Sequence, residues 1–312
     1  IDEVYGNADT GLIRIPGEEV HSPGSSVHIV HIGGKKSVAD IYVHNRDFYE
    51  QSIREYYKKV PKHVPAEVKE RYGQAMWATD AIHEAGGSIL GSSRGQEDVK
   101  VIVDSLKQLG INLLFCIGGD GTFNGANALN TLGLPTVGIP GTIDNDLAYT
   151  DFTIGFDTAM NTVLEMCDRL HDTCESHARC NVVEVMGRGA GDIALNTAIA
   201  LGAVAVVIPE VPFDADACIE KIRALRADGK RHFLVIVSEG VEKFAEGFAK
   251  RIEAETGVET KFARLAHVVR GGSPTLADRM LATKLGVYAV DQLLAGKSNL
   301  VLCQRDSKIT TV

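Results

Sequence analysis

Basic residues are in deficit in this 312-residue chain: 32 Lys and Arg stand against 41 Asp and Glu, a formal net charge of −9. A general nucleic-acid or membrane-surface binder needs a basic face, so both classes are excluded, and any anionic ligand must be met by local cations. Long apolar runs are missing too. None approaches the roughly 20 residues of a membrane span, and Ile1-Asp2-Glu3-Val4-Tyr5 lacks the basic start of a signal peptide; no membrane contact and a cytoplasmic location are expected. The six cysteines (116, 167, 174, 180, 218 and 303) form no CxxC pair and no His/Cys cluster, which points to free thiols in a reducing compartment. There is no internal repeat and no low-complexity linker.

What is present is an apolar content of 45%, enough to bury the cores of two ordinary domains. From Gln96 onward, strand and helix patterns alternate. Val99, Ile102, Val103, Leu106 and Leu109 fall on one helical face that Gly110 closes. Strands are expected at 112–117, 135–139, 181–185, 203–208 and 233–238, and helices after Asp157, near 217–227, over 241–256 and over 275–294. This order predicts an α/β fold with mainly parallel sheets flanked by helices and ligands at the carboxyl ends of the strands. The first eighty residues differ: they hold most of the tyrosines, Pro61 and Pro65 frame a break, and Phe48 to Tyr57 is patterned as an aromatic-faced helix.

Two runs carry chemistry. Ile117-Gly118-Gly119-Asp120-Gly121-Thr122 follows an apolar strand and precedes Gly125-Ala126-Asn127-Ala128-Leu129, which reads as a helix start. Strand, glycine loop and helix N-terminus bind anions, because glycine lets the backbone approach a phosphate and the first-turn N–H groups point at it. The loop also reads as a plain strand-to-helix turn. Asp120 argues for a ligand, since a carboxylate there repels phosphate unless Mg²⁺ lies between them. Gly141-Thr142-Ile143-Asp144-Asn145-Asp146 follows the next strand. It reads either as a turn-forming Asx cluster or as a general base with a second acid beside the metal.

In order along the chain come Gly86-Gly87-Ser88-Ile89-Leu90-Gly91-Ser92-Ser93-Arg94, the GGDGT loop, PGTIDND, Val182-Val183-Glu184-Val185-Met186-Gly187-Arg188, Ile208-Pro209-Glu210 and His267-Val268-Val269-Arg270-Gly271-Gly272-Ser273-Pro274. From about Ala81 to the end, the sequence resembles the 6-phosphofructokinase family, ATP-type with bacterial-like motifs. The resemblance implies two interleaved domains: 1–155 plus about 269–297 for the nucleotide, and 156–268 plus the C-terminal tail for the sugar phosphate. It implies phosphoryl transfer from Mg·ATP to fructose 6-phosphate, with Asp144 as base, Thr142 beside it and Arg188 as the transition-state cation. Arg94, Gly119, Asp120, Gly121, Thr122 and Gly125 would bind the nucleotide, Asp120 through Mg²⁺. Arg179, Met186, Gly187, Glu239, Lys261, His267 and Arg270 would join Thr142, Asp144 and Arg188 around the sugar phosphate. A homotetramer is implied, with Arg179 and residue 261 entering a neighbour's site.

The resemblance has gaps. Pyrophosphate users in the family tend to carry an acid at the position of Gly121 and a lysine at that of Gly141; glycine at both favours ATP. The family's first glycine loop, GGDxPGxN, is missing. Val27–Ile32 followed by Gly33-Gly34-Lys35-Lys36-Ser37 reads as a strand leading to a hairpin turn, or to a divergent phosphate loop. Lys261 stands where arginine is usual, with Arg264 as a possible substitute of opposite strand parity. Val204 stands where regulated bacterial members carry an effector-site acid. A pyrophosphate-dependent enzyme and a non-catalytic sugar-phosphate-binding subunit are the alternatives.

Overall fold

The structure, a computed structural model, describes residues 18–20, 27–31, 82–88, 93–95, 98–108 and 110–312. The Phe48–Tyr57 helix and the Gly33–Ser37 segment lie outside the described residues. The chain divides into two units, 1–141 with 147–152 and 276–312, and 142–146 with 153–275.

In the first unit, β1 (Glu18–Val20), β2 (Val27–His31), β3 (Ser93–Gly95), α1 (Val99–Gln108), β4 (Leu114–Gly118), α2 (Asp120–Thr131) and β5 (Thr136–Pro140) follow in order. β1 pairs with β3 in parallel. A five-stranded sheet has the order β11-β10-β5-β4-β2, closed by β10 (Leu300–Arg305) and β11 (Lys308–Thr311). Leu114 and Cys116 pack with Val103 and Leu106 of α1 and Ala126 and Leu129 of α2.

The C-terminal tail, expected with the second domain, belongs to the first unit instead. Leu300 pairs with Val137 and Val301 with Gly138, and Leu302 and Cys303 are fully buried; the apolar tail completes the first sheet. β2 brings a second surprise. It runs antiparallel to β4, with Val27 opposite Gly118 and His31 opposite Leu114. His31 thus stands at the end of β4 opposite to the Gly118–Thr122 loop.

The second unit contains α3 (Phe156–His177), β6 (Cys180–Val185), α4 (Asp192–Ala200), β7 (Ala205–Val207), α5 (Ala215–Ala227), β8 (Phe233–Ser238), α6 (Phe244–Thr256) and β9 (Thr260–Arg264). Its sheet, β7-β8-β6-β9, is parallel throughout. Both faces are buried, as a parallel sheet requires. Val182, Val235 and Val237 face α5 and α6 through Ile219, Ile222, Phe248 and Ile252. Val183, Val185, Leu234 and Ile236 face α3 and α4 through Phe156, Val163, Ile193 and Ala194. α7 (Leu276–Leu294) then returns the chain to the first unit. Among the described residues, no helix is long and apolar enough to cross a membrane, and all six cysteines are buried free thiols.

Candidate active site

The glycine loop and the helix after it, expected to bind the nucleotide, lie in the first unit. α2 starts at Asp120, five residues before Gly125, which corrects the expected helix start: Gly119 is the N-cap, and the first helical bond runs from the Phe123 N–H to Gly119 O. Residues 120–122 thus form the first turn, where N–H groups point out along the axis. Gly118 makes this docking possible. A Cβ there would lie 2.0 Å from Thr122 Oγ1, so only glycine lets the helix start fold onto the strand end. Gly125 sits inside α2 rather than at its start. Asp120 is exposed, and its Oδ2 accepts a hydrogen bond from Asn124 Nδ2 at 3.3 Å. Gly141 donates its N–H to Gly118 O at 2.9 Å, and a Cβ on it would meet Ile117 Cγ2 at 2.7 Å. Arg94 is mid-strand in β3, in register with Glu19.

The acidic strip belongs to the second unit. Asp144 donates its N–H to Thr142 Oγ1 at 3.2 Å, while the buried Thr153 donates its hydroxyl to Thr142 O at 2.5 Å and to Asn145 Oδ1 at 3.3 Å. Asn145 takes a left-handed φ of 53°, a conformation asparagine tolerates better than most residues. The strip is a braced turn. Burial, reinforced by the charges of Asp146 and Glu239, raises Asp144 from 3.8 to about 6 against the opposing pull of Arg270 and Arg188.

Arg188, Glu239 and Arg270 follow the carboxyl ends of adjacent strands. β6 and β8 finish side by side, Val185 opposite Ser238. Beyond β6 the chain turns through Gly187, φ 140°, and Arg188, φ 53°. The turn is held by the Ala190 N–H on Gly187 O at 2.9 Å, and by the Arg188 N–H on Glu239 Oε1 at 3.0 Å. Gly240 must be glycine here, since a Cβ would lie 2.5 Å from Arg188 O. Met186 is 5% exposed and packs against Phe156 and Ile193, so its side chain serves the core. Beyond β9, a 3₁₀ turn at Ala266–Arg270 exposes His267 and Arg270 and is anchored by the buried Val269. Leu265 ties it to the sheet by donating its N–H to Glu184 O at 3.1 Å.

Arg179 and Lys261 are elsewhere. They stand at the amino ends of β6 and β9, in the register Cys180 opposite Thr260. That places them the length of β6, about 20 Å, from Arg188. Both bind one carboxylate: Arg179 Nε is 2.7 Å from Glu259 Oε2, and Lys261 Nζ is 3.0 Å from Glu259 Oε1. Arg264 does not replace Lys261. Its Nε lies 2.6 Å from Oε1 of the buried Glu184.

The profile of the phosphofructokinase family matches residues 63–293. The chain belongs to the phosphofructokinase family. Its match begins ahead of Ala81, where the legible motifs start, and so takes in part of the unusual amino end. The chain is 50% identical over 233 residues to the ATP-dependent 6-phosphofructokinase 1 of Clostridium perfringens, covering 73% of each. To the ATP-dependent 6-phosphofructokinase of Bacillus pumilus it is 52% identical over 223 residues, 70% of this chain and 69% of the relative. Among solved structures, phosphofructokinase from Saccharomyces cerevisiae superposes with a TM-score of 0.68 at 29% identity, covering 74% of this chain and 36% of that one.

A phosphofructokinase implies Mg²⁺. Among the described residues, no group of three or more His, Cys, Asp or Glu is placed to hold a metal. An exposed single carboxylate, Asp120, in the first turn of a helix still fits this ion, because Mg²⁺ keeps several waters and binds through one or two carboxylates plus substrate phosphates. Sequence reasoning missed Glu259, Thr153 and the pairing of Arg264 with Glu184. Only the spacing Glu259-x-Lys261, which puts two charges on one strand face, hinted at the first.

Proposed function

We infer that this chain transfers the γ-phosphoryl group of ATP to the 1-hydroxyl of fructose 6-phosphate, giving ADP and fructose 1,6-bisphosphate. The observation that carries this reading is Asp144, a carboxyl raised to about 6 by burial and by the charges of Asp146 and Glu239, against the pull of Arg270 and Arg188. At neutral pH such a group is ionised, yet it is more basic than an ordinary aspartate, as a general base should be. Asp144 takes the proton of the 1-hydroxyl as that oxygen bonds to the γ-phosphorus and the bond to the ADP oxygen breaks. Thr142, whose hydroxyl already orients the Asp144 backbone, lies beside the transferring group. Arg188 meets the charge that builds on the equatorial oxygens.

Backbone amides of Gly119, Gly121 and Thr122 cradle the donor's phosphates, with Gly125 behind them and Arg94 alongside. Mg²⁺, held through Asp120 and those phosphates, would supply positive charge against the β- and γ-oxygens. ATP agrees with Gly141, since Ile117 Cγ2 fills the space where the side chain of a lysine at that position would begin. His267 and Arg270 hold the sugar's phosphate from this chain, and Glu239 accepts from sugar hydroxyls with the oxygen that Arg188 leaves. Gly187 shapes the approach.

Arg179 and Lys261, at the far end of the sheet, serve the sugar phosphate of a second copy, and a homotetramer follows from that sharing. A coupled assay for fructose 1,6-bisphosphate, with fructose 6-phosphate and Mg²⁺ fixed and ATP or pyrophosphate as donor, tests the reading. Product with ATP supports it; product with pyrophosphate alone, or silence with both, overturns it.

A further inference from the structure

Glu259 holds the two cations assigned above to a sugar phosphate, and it holds them with one oxygen each. Its place is fixed by the backbone. The Cys180 N–H donates to Glu259 O at 2.9 Å, and the Phe233 N–H donates to Arg179 O at 3.0 Å, so the carboxylate and the guanidinium start neighbouring strands abreast. Lys261, two residues beyond Glu259, shares its strand face. The three side chains are 27% (Arg179), 42% (Glu259) and 56% (Lys261) exposed, so an incoming anion reaches them without any rearrangement of the core. The hydrogen bonds from Arg179 and Lys261 hold the Glu259 carboxyl down at about 2, which keeps it charged at any working pH.

We propose that Glu259 is a built-in competitor for the sugar's phosphate, a tethered carboxylate that occupies Arg179 and Lys261 until a phosphate displaces it. The inference rests on the assignment of those two cations to the sugar phosphate. A carboxylate offers two oxygens and one charge, whereas a sugar phosphate near neutral pH carries close to two charges and three terminal oxygens. Exchange therefore favours the phosphate dianion and gains little for a monoanion or an unphosphorylated sugar. Glu259 lowers affinity and sharpens selection for a doubly charged ligand at the same time.

The test is steady-state kinetics of the intact protein with fructose 6-phosphate varied at saturating Mg·ATP, and with inorganic phosphate as a competing probe. In Glu259→Gln the KM for fructose 6-phosphate is expected to fall by about three- to tenfold, the scale of a charge-assisted contact set free. kcat and the KM for ATP should hold, and inorganic phosphate should inhibit at lower concentration. Glu259→Asp, which keeps the charge, should stay near the parent and shows whether the position tolerates change. An unchanged or raised KM in Glu259→Gln, with Glu259→Asp active, overturns the proposal and makes Glu259 a mere spacer for the cations. Arg179→Ala separates the two levels of the argument. If it leaves the KM for fructose 6-phosphate unaltered, the phosphate-site assignment itself fails, and the competitor role fails with it.

Discussion

The carboxylate of Glu239 accepts the backbone N–H of Arg188 at 3.0 Å, joining the ends of two neighbouring parallel strands. Arg188 is held at φ 53°, a left-handed conformation that costs a non-glycine residue about 1–2 kcal/mol. A residue kept there against its preference, by a bond from the next strand, is placed by its surroundings.

Replacing Arg188 by Gln should therefore leave the turn in place and remove only the charge. Turnover is expected to drop by about three to five orders of magnitude, the range for a cation that acts in a phosphoryl-transfer transition state. The KM for ATP should change little. Glu239→Ala should loosen the same turn and lower kcat and sugar affinity together. Initial-rate kinetics distinguish the two patterns.

Asp144 links function to stability. Its folded pKa of about 6 lies above the 3.8 of an ordinary aspartate. Between about pH 4 and 6 the folded chain keeps a proton that the unfolded chain has lost, so stability falls as pH rises through that window and stays lower above it. The shift corresponds to about 3 kcal/mol. Asp144→Asn should thus be more stable than the parent at pH 7.5, by up to about 3 kcal/mol, and the gain should vanish below about pH 4. Denaturant unfolding at both pH values checks this; a destabilised Asp144→Asn at pH 7.5 would refute it.

Gly118 is the tightest fit in the donor elements, since its missing Cβ leaves room for Thr122 Oγ1. Gly118→Ala should destabilise the protein by about 1–3 kcal/mol, as overpacking does. It should also raise the KM for ATP while leaving that for fructose 6-phosphate in place, because the displaced element is the start of α2.

The Arg264–Glu184 pair joins β9 to β6 just before the turn that bears His267 and Arg270. Arg264→Ala strands a buried carboxylate and should lower stability and raise the KM for the sugar phosphate. Adding Glu184→Gln to it should recover part of the loss, since the stranded charge is then gone. Thermal unfolding of the single and double variants gives the answer.

The mainly parallel sheets were legible because each β–α unit announces itself: Phe233–Ser238 is buried along its whole length, and its apolar run needs no periodicity to be found. The glycine loop and Asp144 stood out as candidates because a carboxylate among glycines, and two acids with a hydroxyl, call for an explanation beyond a turn. Pairing direction was not. Val27–His31 reads as a strand in either sense, and its antiparallel partner was beyond any local signal. The tail was misassigned for a related reason, because Leu300–Arg305 shows an apolar strand without naming its sheet. The role of Arg264 was hidden as well, since its partner, Glu184, lies eighty residues away.

The claim at the centre of this account is that Asp144 accepts the proton of the attacking hydroxyl. The most direct test is the pH dependence of kcat/KM for fructose 6-phosphate at saturating Mg·ATP, in the parent and in Asp144→Ser. The parent should show an acid limb with a midpoint near 6. Asp144→Ser should fall by about two to four orders of magnitude and lose that limb, with little change in sugar affinity. A limb that survives in Asp144→Ser, or a loss confined to sugar affinity, would contradict the claim and make Asp144 a structural residue.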